Sequence, residues 1–174
     1  MLQNICLICQ KRDYAKQVAA ILSERLDMQW FDVLDMTMFD DKPRTFTEIL
    51  NLRGEDGVRR HERSCLKYAC GFSNTIIVCE GGSIEAEDAF QIMHKNAVVV
   101  YLHCPAKRVI LHNEQLPYAS PEEHAFFVKD KKVVDMRIAL SKQNADIIVT
   151  CTQKPPVLSA SLVVRKLKEY AQKL

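Results

Sequence analysis

The sequence predicts an α/β fold built on a parallel sheet, and two observations predict it. Five short, largely apolar runs recur along the 174 residues, at 4–9, 29–34, 75–79, 97–102 and 145–150. Stretches with helical periodicity lie between them. Strands alternating with helices are the signature of βαβ units, which lay their strands parallel.

The elements follow in order. Residues 4–9 (NICLIC) form a continuous apolar run, hence a buried strand. Asp13 stands where a helix N-cap belongs, and Val18, Ile21, Leu22 and Leu26 share one face of a helix over 14–26. Residues 29–34 read as the second strand. Residues 43–70 hold two helical stretches broken near Arg53 and Gly54. The third strand, 75–79, runs into Glu80-Gly81-Gly82, and a helix over 84–94 follows. After the fourth strand come a short helix at 105–111, a polar, loop-like stretch at 112–122 and a helix over 123–141. A fifth strand and a closing helix over 156–173 complete the chain. In parallel sheets ligands bind beyond the carboxyl ends of the strands, which points to the turns after Cys9, Val33, Cys79 and Leu102.

Composition bounds the function. The length suits one domain, 1–174, with a sizeable core. Hydrophobic residues at 48% and charged ones at 26% suit a soluble globular protein, and the net charge of +2 is spread along the chain. No basic stripe points to nucleic acid, no apolar run is long enough for a bilayer, and no signal-peptide pattern opens the sequence. A cytoplasmic protein is expected. The seven cysteines are odd in number and scattered, which argues against a disulfide framework. Cys6 and Cys9, three apart on one strand, point to opposite faces and so cannot share a metal. The five histidines show no ligand spacing, so a catalytic metal site is not expected.

The turn after the first strand raises the central question. Chains of this layout often carry a glycine-rich phosphate cradle there, but this one carries Gln10, Lys11, Arg12, Asp13 and Tyr14. The flanking sequence resembles the shikimate kinase family, small P-loop kinases of the nucleoside-monophosphate-kinase type. The resemblance is carried by WFDVLD (30–35), FTEILNLRGEDGVRRHER (46–63), VCEGGS (78–83), NAVVVYLHCP (96–105) and RIALSKQNADIIV (137–149). It implies a three-layer α/β/α fold, a five-stranded parallel sheet, and a lid at about 112–122.

Carried over residue by residue, the family pattern is kept on one side and lost on the other. The cradle glycines of the Walker A loop fall on Cys9, Arg12 and Tyr14, its lysine on Ala15 and its hydroxyl on Lys16. Residues with a Cβ do not readily take the backbone this loop needs. Lys11, Arg12 and Lys16 leave two readings, an anion site at a helix N-terminus or solvated surface charge, and surface charge is the expectation. Asp32 matches the aspartate that assists Mg²⁺. The second aspartate, which contacts the acceptor hydroxyl, falls on Leu34, while Asp35 on a continuing strand would face the other way. The lid has no arginine, and Glu80, in place of the first turn glycine, puts negative charge near the phosphate position. On the substrate side Arg59 and Arg137 match the arginines that grip the shikimate carboxylate, Glu62 matches the glutamate that orients them, and Gly81 and Gly82 match two turn glycines. The plainer reading of Arg59 and Glu62 is an exposed helical pair worth little.

The resemblance thus implies a shikimate-kinase-like protein, catalytically impaired or inactive, that retains part of a pocket for a small carboxylate such as shikimate. The alternatives are an active ATP- and Mg²⁺-dependent shikimate kinase with a rebuilt phosphate grip at Lys11, Arg12 or Lys16, and a scaffold or regulator with a protein partner in aromatic amino-acid biosynthesis. No cofactor is expected under the first reading. Phosphoryl transfer is almost wholly positioning and charge stabilisation, so losing lysine, cradle, lid arginine and acceptor carboxylate together leaves little to carry it.

Overall fold

The computed structural model of the chain describes residues 4–39 and 44–173. Residue 43, the expected start of the long helical region, lies outside them. Five strands, β1 (Asn4–Cys9), β2 (Gln29–Asp32), β3 (Thr75–Glu80), β4 (Ala97–His103) and β5 (Ile147–Thr150), form one sheet in the order β2-β3-β1-β4-β5, all parallel. The P-loop kinase-type α/β architecture is therefore present. All six residues of β1 are buried, which its central place demands. Register sets Cys9 beside both Glu80 and Leu102, and Asp32 beside Val78. The carboxyl ends of β1, β2 and β3 thus meet at one edge.

Side-chain alternation along β1 divides the core. Ile5, Leu7 and Cys9 join one layer, under the helices α1 (Tyr14–Leu26), α5 (Ala106–Glu114) and α8 (Pro156–Ala171). Cys6 and Ile8 join the other, under α3 (Phe46–Ala69) and α4 (Ala89–His94). Each fully buried Leu, Ile or Val contributes about 1.5–3 kcal/mol, so these two layers carry the fold. A third cluster, Leu34, Ile49, Leu50, Val58, Phe126 and Phe127, sits apart and joins α2 (Val33–Met36), α3 and α6 (Pro121–Phe127).

Several boundaries differ from the sequence expectation, each for a local reason. The second strand stops at Asp32, because its Oδ1 accepts the N–H of Asp35 at 2.9 Å and caps α2. The expected 84–94 helix begins as a 3₁₀ turn, Gly81–Ile84, and becomes α-helical only from Ala89. The loop-like stretch starts later than expected, since α5 continues through His112 and Asn113 and buries Ala106, Val109 and Asn113 on one face. The helix expected over 123–141 is two helices. Ser120 caps α6 and Asp130 caps α7 (Lys131–Asn144), each accepting from the N–H three residues on. Asp13 is not the side-chain cap of α1. It sits in left-handed backbone, φ 66°, with no capping hydrogen bond. The break near Gly54 is present, as a residue at φ 66° inside α3. Among the described residues no helix is long and apolar enough to cross a membrane.

Candidate functional site

A cavity of about 140 Å³ opens at the carboxyl ends of β1, β2 and β3, and Lys16, Asp32, Asp35, Glu80 and Glu123 stand on its wall. Lys16 comes from the first turn of α1, half-buried. Its ammonium bonds both carboxylate oxygens of Asp35 at 2.8 Å and lies 3.9 Å from Asp32 Oδ2. The placement of Asp35 corrects the expectation that it faces away: once Asp32 ends the strand and caps a helix, Asp35 turns back to the cavity side. Lys16 is likewise no surface charge. Burial pulls its pKa down, but Asp32 and the hydrogen bond to Asp35 outweigh this and hold it above its ordinary value. Asp32 behaves oppositely. Burial pushes its carboxyl up to about 7, with Lys16 pulling the other way. The two shifts agree once the bonds are followed, since the ammonium spends its short hydrogen bonds on Asp35 and its attraction for Asp32 falls short of the cost of burial.

This arrangement does not fit a divalent ion at Asp32. A protonated amine already stands between the two aspartates, and no group of three metal-ligating side chains converges among the described residues. Nor does the β1–α1 turn fit a phosphate cradle. The N–H of Arg12 donates to Asn113 Oδ1 at 3.0 Å, Asn113 Nδ2 donates to the Gln10 carbonyl at 3.1 Å, and His112 Nε2 donates to the Arg12 carbonyl at 2.8 Å. A side chain of α5 thus takes the Arg12 N–H, a donor that a phosphate oxygen would need, and two more bonds from α5 pin the carbonyls of the turn. Tyr14 is buried, its hydroxyl donating to the Lys154 carbonyl and sharing a hydrogen bond with Ser159, each at 2.8 Å. Arg12 lies over the Phe127 ring at 3.9 Å and Lys11 over the Tyr14 ring at the same distance. Cation–π packing, rather than free surface charge, occupies both.

The arginines expected on the substrate side sit next to this cavity, not on its wall. Glu80 stands between. Arg59 Nη1 donates to Glu62 Oε2 at 2.7 Å and lies 3.5 Å from Glu80 Oε2. Glu62 is 1% exposed, and its other oxygen accepts from the Ser83 hydroxyl at 2.8 Å. This is a buried, doubly fixed pair, not an exposed one. Burial works against the charge on Arg59, and Glu62 and Glu80 outweigh it. The guanidinium lies under the Phe126 ring at 4.0 Å, and a methyl group at Gly82 would overlap it. Gly82 is therefore required by close approach. A methyl at Gly81 would meet Gln10 Oε1 and approach Arg137 Cδ, so two consecutive glycines seat the two arginines. Arg137 is 5% exposed, with Nε donating to Glu85 at 2.5 Å.

One edge of Arg59 is left without hydrogen bonds. Its Nε and Nη2 are buried and, like Glu80 Oε2, have no hydrogen-bond partner among the described residues, although Nη2 lies 3.6 Å from Glu55 Oε1. Glu80 thus reaches Arg59 with Oε2 while lining the cavity beside Lys11, Arg12 and Lys16, at the turn where the sequence reading placed its charge. Asn113, Glu123 and Phe126 were not anticipated from sequence. Asn113 leaves one trace there, a polar residue on the buried face of a helix, whereas Phe126 reads as ordinary core.

Comparison with known proteins gives a consistent result. The family model for shikimate kinase matches residues 16–171. The shikimate kinase of Pseudomonas paraeruginosa is 27% identical over 129 residues, 72% of each chain, and shikimate kinase 2 of Dickeya chrysanthemi is 27% identical over 150 residues, 82% of this chain and 83% of that one. Among solved structures, shikimate kinase from Acinetobacter baumannii in complex with shikimate superposes with a TM-score of 0.79 at 19% identity, covering 97% of this chain and 94% of that one. The enzyme from Aquifex aeolicus gives 0.75 at 21% identity, with 97% and 98% covered. The structural likeness confirms the fold, and the family model spans all but the ends of the sequence: the chain belongs to the shikimate kinase family.

Proposed function

We propose that this protein is a catalytically impaired shikimate-kinase-family member, a pseudokinase, that binds a small carboxylate ligand such as shikimate at Arg59. The observation that carries the reading is the buried edge of that guanidinium that has no hydrogen bond. Nε and Nη2 form one side of the planar fork, with two parallel N–H donors spaced for the two oxygens of a carboxylate. A buried fork edge without a partner is costly to maintain, which makes it a mark of a ligand site. Glu62, fixed by Ser83, holds the opposite side of the guanidinium, and Gly82 and Phe126 hold its faces. The guanidinium is therefore held in place before a ligand arrives. Shikimate is the first carboxylate to test, because the Acinetobacter baumannii relative is described in complex with it.

Impairment is supported by what fills the nucleotide side. Asn113 and His112 bond the turn, Tyr14 is tied to Lys154 and Ser159, and Lys16 stands against Asp35 beside Asp32. Isothermal titration with shikimate and, separately, with MgATP tests both halves. Shikimate should bind, and Arg59→Ala should weaken it by about 10- to 100-fold, the worth of a charge-assisted pair. Incubation with ATP and shikimate should yield no phosphorylated product. Micromolar ATP binding or measurable turnover would overturn the pseudokinase reading, and shikimate binding indifferent to Arg59→Ala would overturn the pocket.

A further inference from the structure

Arg59, whose Nε–Nη2 edge lacks hydrogen bonds, has a further neighbour of opposite sign at Nη1. The carboxylates on the cavity wall are accounted for one by one. Asp13 is partly open to solvent and lies 3.9 Å from Arg12 Nε. Glu123 accepts from the Thr47 hydroxyl at 2.5 Å and from the Ala119 N–H at 3.1 Å. Asp35 is bonded through both oxygens to Lys16. Asp32 caps α2 with one oxygen and faces Lys16 with the other. Glu80 differs. Its Oε2 is buried and lies 3.5 Å from Arg59 Nη1, an ion pair without a hydrogen bond, and no other described group donates to it. A spare acceptor and a spare two-donor edge therefore sit on touching side chains at the end of β3.

The charge balance points the same way. Around this guanidinium stand Glu55, Glu62 and Glu80, with Glu55 bonded also to Lys129 at 2.9 Å. Three carboxylates face two cations. A ligand bearing only a carboxylate would add negative charge to a cluster already short of positive charge. One that also bears an ammonium would add no net charge and would supply donors to Glu80. A metal ion at Glu80 is a poorer match, because no set of three ligating side chains gathers among the described residues.

We infer that the ligand is a small amino carboxylate, its carboxylate on the Nε–Nη2 edge of Arg59 and its ammonium on Glu80 Oε2. The inference rests on the reading that Arg59 receives a carboxylate, and it adds the second group. The adjoining cavity, about 140 Å³, matches the space of about 150 Å³ that admits a benzene ring, so a single six-membered ring or a chain of that bulk carries the two charges.

Titration calorimetry with ring-matched probes tests it: 4-aminocyclohexanecarboxylate, cyclohexanecarboxylate and shikimate. The amino carboxylate should bind at least ~10-fold more tightly than either plain acid, the worth of one charge-assisted hydrogen bond. Glu80→Gln should abolish that preference while leaving the plain acids as tight or tighter, and Arg59→Gln should weaken all three. Thermal melts check that each variant folds, with Glu80→Gly as the second variant. The preference among probes in the unmodified protein needs no variant at all. Plain acids binding as tightly as the amino acid, and dependent on Arg59, would overturn the inference and leave the carboxylate pocket standing. Binding of no carboxylate, or binding indifferent to Arg59→Gln, would remove both.

Discussion

Replacing Asp32 by asparagine isolates the electrostatics of the cavity in one group. Asp32 is 7% exposed, and burial raises its carboxyl from 3.8 to about 7 against the pull of Lys16. A group whose pKa is higher in the folded chain favours folding while it is protonated and loses that contribution as pH rises through the folded value. For Asp32 the contribution is complete below about pH 4 and gone above about pH 7. That rise in pKa amounts to about 4 kcal/mol. Asparagine keeps the oxygen that accepts the Asp35 N–H, and it caps a helix as well as aspartate does. It forfeits only the attraction to Lys16 across 3.9 Å. Asp32→Asn should therefore be more stable than the parent by about 2–4 kcal/mol at pH 8. The two should agree within about 1 kcal/mol at pH 4. For a chain of this size that is a rise in Tm of roughly 5–15 °C at the higher pH. Urea denaturation of both proteins at pH 4, 6 and 8 reads it directly. An asparagine variant no more stable at pH 8, or one offset equally at every pH, would refute the claim that burial outweighs Lys16 at Asp32.

Two further predictions follow from the neighbouring bonds. Glu62→Ala leaves the Arg59 guanidinium buried beside Glu80 and Glu55 only, at 3.5 and 3.6 Å, and should cost about 3 kcal/mol in urea denaturation; a loss under about 1 kcal/mol would mean the pair behaves as a surface one. Asn113→Ala frees the Arg12 N–H and the Gln10 carbonyl together and should cost about 2 kcal/mol. Hydrogen exchange at the Arg12 amide should quicken in that variant, and an unchanged rate would show that Asn113 is not what closes the turn.

The sheet was legible because its signals are local. Apolar runs, helical periods and the Gly54 break are each contained in a few residues, and so is the opposite facing of Cys6 and Cys9. The site was legible only in part. Asp35 was misplaced because residues 29–34 read as one strand, yet the spacing of Asp32 and Asp35 is itself a helix-start signal, a carboxylate ahead of an acid three residues on. Arg12 looked like surface charge because nothing near it in sequence announces Phe127, which reaches it from another helix. Asn113 and Phe126 are of the same kind. Their partners are Gln10, Arg12 and Arg59, brought close only when α5 and α6 pack over the strand ends. Glu80 could be identified as a departure from the family turn, but its direction, toward Arg59, depends on the register of β3 against β1.

The distribution of thiols across the two faces of the sheet gives the molecule a built-in clock. All seven cysteines are free and buried, shared between both core layers. A maleimide added to the native protein therefore waits for the fold to open before it can react, and the labelling rate becomes a gauge of opening. Cys6, Cys70 and Cys79 report on the layer under α3 and α4, whereas Cys9, Cys104 and Cys151 report on the layer under α1, α5 and α8. Mass spectrometry of a labelling time course would separate one layer's loosening from the other's, and any ligand that closes the Arg59 side would be seen as a slower tick on both.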